Sequence, residues 1–133
     1  MSKAAEIVTC IETAETFHKL FYEKLDKSRQ TIGKLYLDNA TLNWNGNALK
    51  GKAEISGFLQ KLPISNTNVY SVDAQPLMDS SILIVTTGTV KFQSINSNRD
   101  QDFSQTFVLK KTDTKTMKVS FDCFRLINKI ESG

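Results

Sequence analysis

A chain of 133 residues, of which 40% are apolar and 23% charged, is long enough for one globular domain and short for two. Its 17 lysine and arginine residues, against 14 aspartate and glutamate residues, give a formal net charge of +3. The basic residues are scattered and form no stripe that could follow a phosphate backbone, so we expect contact with RNA to be indirect at most.

The cysteine count argues against a disulfide framework or a metal site. Cys10 and Cys123 are the only two cysteines, and they lie far apart in the sequence. Reduced thiols fit a cytosolic or nuclear compartment. The N-terminus lacks the apolar core of a signal peptide, and the run Ile82–Val85 is too short to span a membrane. We therefore expect no metal, no cofactor and no membrane partner.

The first third of the chain has helical periodicity. Apolar residues recur at steps of three and four, and further apolar residues widen the stripe: Ile7, Cys10, Ile11, Ala14, Phe17, His18, Leu20, Phe21 and Leu25. Ser28 can cap a second, shorter helix that runs to Tyr36. A third helix is predicted over Ala53–Leu62, where Pro63 ends it.

Strands follow these helices. Ala40–Trp44 reads as a strand, the Asn45-Gly46 pair predicts a hairpin turn, and the chain returns over Ala48–Lys50. Four longer strands are predicted at Val69–Pro76, Ile82–Phe92, Phe103–Lys111 and Met117–Ile127. This order predicts an α+β fold with three N-terminal helices on one face of a strongly curved antiparallel sheet. We expect one domain over residues 3–127 and a short tail over 128–133.

The two faces of the predicted sheet differ in composition. One set of alternating positions reads as core: Tyr70, Val72, Ala74, Val90, Phe92, Phe107, Leu109, Phe124 and Leu126. The opposite set is mostly uncharged where a solvent-facing surface should be charged. Such a surface is typical of an interface core, although strands also favour β-branched and aromatic residues for their own sake. We predict a partner-binding surface made of Asp73, Gln75, Val85, Thr87, Thr89, Thr106, Val108, Phe121, Cys123 and Arg125.

Asp73 and Arg125 are the two charged members of this surface. A charge inside a covered patch is costly unless it is paired. The two residues could pair with each other, or each could meet an opposite charge on another chain, which would give partner selectivity.

The residues of known chemistry form no catalytic set. His18, the only histidine, lies within the apolar helical stripe, and Asp38 is expected to cap or turn the chain. The strand that ends at Trp44 carries no carboxylate, and Asp102, Asp113 and Asp122 read as isolated. We find no Ser-His-Asp order, phosphate loop or metal-ligand spacing, so we expect no catalytic residue and no enzyme. A small isomerase or dehydratase that uses a pocket between helices and sheet stays open as an alternative.

Five segments of the sequence resemble a known family. "IGKLYLDNATLNWNGNALKGKAEI", "VDAQPL", "GTVKF", "FSQTFVL" and "SFDCFRL" are similar, in register from about Ala14 to Leu126, to the small nuclear transport factor 2-related export proteins. The resemblance implies a cone-shaped α+β fold whose exposed sheet face forms a heterodimer with the large messenger-RNA export receptor. It further implies that the heterodimer binds phenylalanine-glycine repeats of nucleoporins, and that the protein works in the nucleus and at the pore and shuttles to the cytoplasm.

The resemblance also assigns roles to single residues. It implies that Asp73 meets an arginine of the partner, that Arg125 is a second interface residue, and that Cys123 and Val85 pack across the dimer. Nuclear transport factor 2 itself has an acid after the tryptophan that helps to bind the GTPase Ran, whereas this chain has Asn45 there. The acidic loop of that protein is replaced by "SINSNRDQD". We therefore expect weak or no binding of Ran, and a homodimeric carrier of Ran-GDP is the remaining alternative.

Overall fold

The computed structural model describes residues 2–94 and 99–127. These residues form two α-helices, one 3₁₀ helix and six strands: α1 (Lys3–Lys27), the 3₁₀ helix (Arg29–Leu35), β1 (Tyr36–Trp44), β2 (Asn47–Lys50), α2 (Lys52–Gln60), β3 (Ser65–Pro76), β4 (Ser81–Phe92), β5 (Gln101–Lys111) and β6 (Met117–Ile127). The helices pack on one face of a single sheet, so the predicted α+β class is confirmed.

Helix α1 is longer than the surface it covers. It begins where the Ser2 side chain accepts a hydrogen bond from the Ala5 amide (3.1 Å). Ile7, Ile11 and Leu20, which the periodicity placed in the apolar stripe, stay between 41% and 49% exposed. The stripe is wider than its contact with the sheet, so its outer rows face solvent. The residues that α1 buries are Cys10, Ala14, Phe17, His18, Phe21, Tyr22 and Leu25.

The second predicted helix is a 3₁₀ helix, and the Ser28 side chain makes no capping bond to it. Arg29 holds this segment in place by donating hydrogen bonds to the carbonyl oxygens of Leu25 (2.8 Å), Pro63 (2.7 Å) and Leu62. Strand β1 follows directly and begins at Tyr36, four residues before its predicted start. The Tyr36 side chain is buried in the core.

The sheet has the strand order β2-β1-β6-β5-β4-β3. All neighbouring pairs are antiparallel except β1 and β6, which run parallel, so the predicted antiparallel sheet is mixed at this one pair. The parallel pair arises because the last strand returns to lie beside the first one, and the intervening helix and strands supply the long connection that parallel strands require. This pairing places Trp44 level with Phe124.

Aromatic side chains fill the space between the helices and the sheet. The Trp44 and Phe124 rings stack with centroids 3.8 Å apart and planes 7° apart, and the Phe58 ring meets Trp44 at 5.6 Å. Towards the other end of the core, Phe17 packs edge-on against Phe107 at 4.9 Å. Pairs of this geometry contribute about 1 kcal/mol each beyond the area they bury. The interior of the cone is therefore packed with rings.

A buried hydrogen-bond network crosses this core and contains Asp122, which was predicted from the sequence to be isolated. The Tyr36 hydroxyl donates to Asp122 Oδ2 (2.6 Å), and Gln105 Nε2 donates to Oδ1 (2.9 Å). Gln105 Oε1 accepts from the Tyr22 hydroxyl (2.8 Å), which also lies 2.6 Å from Thr86 Oγ1. Burial raises the pKa of Asp122 to about 7, although both hydrogen bonds act in the opposite direction.

A β-bulge in β3 reverses one predicted orientation. The pairing of β3 with β4 shifts between Val69 and Ser71, so Tyr70 lies on the face away from the helices and is 71% exposed, rather than in the core as predicted. Gly88 of β4 makes this possible. A Cβ atom at Gly88 would lie 2.0 Å from the Asn68 carbonyl oxygen.

Three expectations concern loops, tail and membrane. The Asn45-Gly46 turn is confirmed, with φ values of 49° and 91°. Of the loop 94–102, residues 95–98 lie outside the described residues, as does the predicted tail 128–133. Among the residues that are described, no helix is both long and apolar enough to cross a lipid bilayer.

The Asp122 carboxyl should make stability depend on pH. The folded protein holds this proton with a pKa of about 7, whereas an unfolded aspartate has a pKa near 4. The contribution of this group is therefore full below pH 4 and is lost as the pH rises towards and past 7, by roughly 2–4 kcal/mol. Asp122→Asn should flatten that decline in urea unfolding measured from pH 4 to pH 8. Asp113→Asn, in an exposed turn, is the control, and equal slopes for wild type and Asp122→Asn would contradict the assignment.

Gly88→Ala should destabilise the protein by about 3 kcal/mol, because the added methyl group meets the backbone of the bulge. Gly57→Ala is the matched control. A Cβ atom at Gly57 has nothing within 4 Å, and alanine is the better helix former in α2, so this variant should gain about 0.5–1 kcal/mol. The measurement is urea unfolding followed by tryptophan fluorescence. A Gly88→Ala protein of wild-type stability would show that the bulge can relax.

Candidate protein interface on the outer sheet face

The outer face, defined as the side of the sheet away from the helices, is organised in rows that cross the strands. The register places Gln75, Leu83, Val108 and Phe121 in one row and Asp73, Val85, Thr106 and Cys123 in the next. A third row contains Ser71, Thr87, Ser104 and Arg125. A fourth contains Asn68, Thr89, Asp102 and Ile127. All ten predicted partner-binding residues therefore lie on one face.

The first two of these rows are almost free of charge. From β3 to β6 they contain Asp73 as their single ionisable carboxylate, surrounded by aliphatic, aromatic and uncharged polar side chains. Phe121 is 56% exposed in this setting. A sheet face that is not covered normally carries charged side chains at such positions. The composition of the two rows matches the core of a protein interface.

Asp73 and Arg125 cannot pair with each other. Asp73 lies on β3 and Arg125 on β6, three strands apart in the sheet, which is about 14 Å at the usual strand spacing. Both residues are exposed, and the ion pairs found within residues 2–94 and 99–127 do not include them. In solution water hydrates both charges. If a second chain covered this face, each charge would need an opposite charge on that chain.

The Asn45-Gly46 turn lies beside Arg125. The Asn45 side-chain oxygen accepts a hydrogen bond from the Leu126 amide (2.8 Å), and the Asn45 amide donates to the Phe124 carbonyl oxygen (2.9 Å). Asn45 thus ties the β1–β2 hairpin to β6 and has a structural role of its own. An Arg125 side-chain nitrogen lies 4.0 Å from the place where a Cβ atom of Gly46 would be, so the guanidinium extends along this turn.

Tyr70 and Thr89 depart from the predicted surface in opposite ways. Thr89 was predicted to be a contact residue, yet it is only 8% exposed. The Tyr70 hydroxyl approaches Thr89 Oγ1 at 3.4 Å, so the tyrosine ring covers the threonine. Tyr70, which alternation alone assigned to the core, is therefore the exposed group at this corner of the outer face. A β-bulge inserts one extra residue into a strand and so shifts which residues face the core. A prediction that assumes regular alternation of inward and outward side chains therefore misses it.

Several other residues of the outer face were not predicted from the sequence. Leu83 precedes Val85 by two positions, so alternation from Val85 could have found it. Asn43 and Ala48 are paired across the β1–β2 hairpin and extend the row of Cys123. They were missed because the pairing of β1 with β6 is a tertiary contact between distant segments.

The candidate catalytic groups are buried or dispersed. His18 is packed in the core, with Nε2 3.3 Å from Glu15 Oε2. Asp38 neither caps nor turns the chain but lies in β1, where it forms an ion pair with Lys52 (3.3 Å). Asp122 is 3% exposed beneath its tyrosine partners. Within the described part of the chain, no three histidine, cysteine or acidic residues cluster as a metal site would require.

Comparison with known families identifies the fold. Residues 13–126 match the nuclear transport factor 2 (NTF2) domain. The chain belongs to this family. It is 40% identical over 121 residues to NTF2-related export protein 2 of Homo sapiens, covering 84% of this chain and 83% of that protein. It is 39% identical over 121 residues to NTF2-related export protein 1 of Bos taurus, with 84% of each chain covered.

A solved member of the NTF2 family has the same architecture. Nuclear transport factor 2 of Cryptosporidium parvum superposes with a TM-score of 0.81 at 22% identity, over 89% of this chain and 94% of that one. At this level of identity the likeness concerns the fold alone. It agrees with the helix-on-sheet cone described above.

Asp73→Arg should leave the isolated NTF2 domain as stable as wild type, within about 0.5 kcal/mol, because Asp73 is exposed and belongs to no ion pair among the described residues. Asp26→Ala is the contrasting variant. Asp26 accepts hydrogen bonds from Ser65 Oγ (2.7 Å), the Thr67 amide (2.9 Å) and Thr67 Oγ1 (3.0 Å), so its loss should cost about 2–3 kcal/mol. Thermal unfolding compares the two. Strong destabilisation by Asp73→Arg would mean that Asp73 serves the fold and not an interface.

Proposed function

We propose that this chain is a non-enzymatic subunit of the machinery for nuclear messenger-RNA export, and that its outer face forms a heterodimer with the NTF2-like domain of the large export receptor. The observation that carries the proposal is the outer face itself, with two nearly uncharged rows and two unpaired opposite charges. The names of the relatives, which are export proteins, support the same role. An interface of standard size would bury roughly 1,600 Å² in total.

The charges of the outer face define what the partner must present. A base has to lie opposite Asp73 and an acid opposite Arg125, at positions about 14 Å apart across the strands. A partner that lacked either group would leave a desolvated charge, which costs roughly 3–5 kcal/mol. The two charges therefore act mainly in the choice of partner, and the two nearly uncharged rows supply most of the affinity.

The wider role rests on the resemblance of the sequence to the export proteins. In our proposal the heterodimer, rather than this chain alone, engages phenylalanine-glycine repeats of nucleoporins and carries messenger ribonucleoprotein through the pore. Contact with RNA is indirect, in keeping with the scattered basic residues. The protein accordingly works in the nucleus and at the nuclear envelope and shuttles to the cytoplasm, as one domain over residues 3–127.

Two features support weak or absent binding of Ran. The residue after Trp44 is an amide, Asn45, and its side-chain oxygen is already used by the Leu126 amide. The loop 94–102 carries Arg99. This base offsets one of the two carboxylates of the loop, Asp100 and Asp102, so the loop keeps a net charge of only −1.

The packed interior argues against the alternative of a small-molecule enzyme. Such an enzyme needs a cavity that a substrate can enter, but Phe17, Trp44 and Phe124 all belong to the buried core cluster. Asp122, Tyr22 and Tyr36 do form a set of acid–base groups, and a carboxyl group kept neutral near pH 7 is a known catalytic device. All three are buried beneath those rings, where solvent and substrate do not reach them.

The heterodimer is tested by capture of the receptor's NTF2-like domain on immobilised protein. Asp73→Arg should weaken capture by two to three orders of magnitude, because breaking one side of a buried ion pair costs roughly 3–5 kcal/mol and the reversed charge adds repulsion. Asp113→Arg makes the same charge reversal in the exposed β5–β6 turn and should bind like wild type. Recovery of the receptor domain at wild-type yield on Asp73→Arg would refute the proposal, and so would a wild-type chain that binds only copies of itself.

A further inference from the structure

A groove of about 310 Å³ interrupts the outer face where the β1–β2 hairpin meets β5 and β6. We name it the hairpin groove. Ala48 and Lys50 of β2 line one side, Val108 of β5 and Phe121 of β6 line the other, and Asn43 and Cys123 lie between them in one row. The groove therefore depends on the parallel pairing of β1 with β6, which brings the hairpin beside the centre of the sheet.

The lining of the hairpin groove is apolar and lacks an acidic side chain. The lining includes the Phe121 ring, the Val108 side chain and the Ala48 methyl group. Asp122 touches the groove through its backbone only, because its carboxyl group points into the core towards Tyr36 and Gln105. Lys50 is the single lining residue with an ionisable amine. A cationic side chain would lose hydration here without gaining an acidic partner.

The hairpin groove is continuous with the predicted partner-binding surface. Thr106, Val108, Phe121 and Cys123 belong both to that surface and to the groove. Any chain that covers the outer rows must therefore also cover the groove. A flat opposing sheet would leave a void of about 310 Å³ there, and protein interfaces avoid unfilled voids because the lining loses its van der Waals contacts.

We propose that the hairpin groove receives one large apolar side chain, aromatic or aliphatic, from the partner's sheet face, and that this side chain anchors the complex. The inference rests on the proposed function and names the chemistry that this part of the partner must have. The volume suits a single side chain and lies at the lower limit of cavities that hold a small molecule. The exposed Phe121 ring offers an edge or a face to an aromatic occupant.

The decisive variant fills the groove from this chain's own side. Ala48 is exposed on β2 and faces the groove, so Ala48→Trp occupies the space without entering the core. Its affinity for the receptor's NTF2-like domain should fall at least 30-fold, as expected when an anchor residue loses its pocket. Ala53→Trp, at an exposed position on α2, is the matched control and should bind like wild type. Circular dichroism of both variants checks that they fold.

A second measurement uses the wild-type complex and needs no variant. Cys123 lies in the hairpin groove and is exposed, whereas Cys10 is buried in the core and serves as the internal reference. The rate at which iodoacetamide alkylates Cys123 should fall at least tenfold when the receptor domain is bound.

The outcomes separate the groove from the proposed function. Wild-type affinity for Ala48→Trp would overturn the anchor while the heterodimer stands. An unchanged rate of alkylation at Cys123 in a complex that forms would overturn the anchor and also the placement of the heterodimer interface on the outer face, because Cys123 belongs to both. Failure of the wild-type chain to bind the receptor domain at all would overturn the proposed function, and the anchor with it.

Discussion

One buried carboxyl group holds the two layers of this protein in register. Asp122 of β6 accepts hydrogen bonds from Tyr36 of β1 and Gln105 of β5, and through Gln105 it is linked to Tyr22 of α1. Each bond satisfies a polar group that would be costly if it were buried alone, so α1, β1, β5 and β6 have one favourable arrangement relative to one another. The stacking of Trp44 on Phe124 depends on the same parallel pairing of β1 with β6.

This arrangement decides which side of the sheet is available for function. Rings and the Asp122 network occupy the inner face, so the acid–base groups of the cone are sealed from solvent. The outer face is left with two nearly uncharged rows, and Asp73 and Arg125, in and beside these rows, have no ion-pair partner among the described residues. The NTF2 architecture is compatible with a pocket on the inner face or a partner on the outer face. In this chain the packing of the inner face favours the partner.

The outer face is also less flat than the face of a regular sheet. The bulge in β3, which Gly88 permits, raises Tyr70 at one corner, and the β1–β2 hairpin forms a groove at the opposite side. Between these two features lie the nearly uncharged rows that contain Asp73, with Arg125 in the row beside them. A partner that covered this face would have to match a ring, a groove and the charges of Asp73 and Arg125 at once, and such a combination would select more strongly than apolar area alone.

The sequence by itself determined the fold class, most element boundaries and all ten residues of the predicted surface as members of one face, because strand alternation is a local property. It could not determine the parallel β1–β6 pairing, since that contact joins segments about 80 residues apart. For the same reason it missed the partners of Asp122 and the hairpin groove. It misplaced Tyr70 because the bulge that turns this residue outward depends on the absence of a side chain at Gly88, on the neighbouring strand. Only the tertiary structure decided these features, since each requires two distant segments to meet.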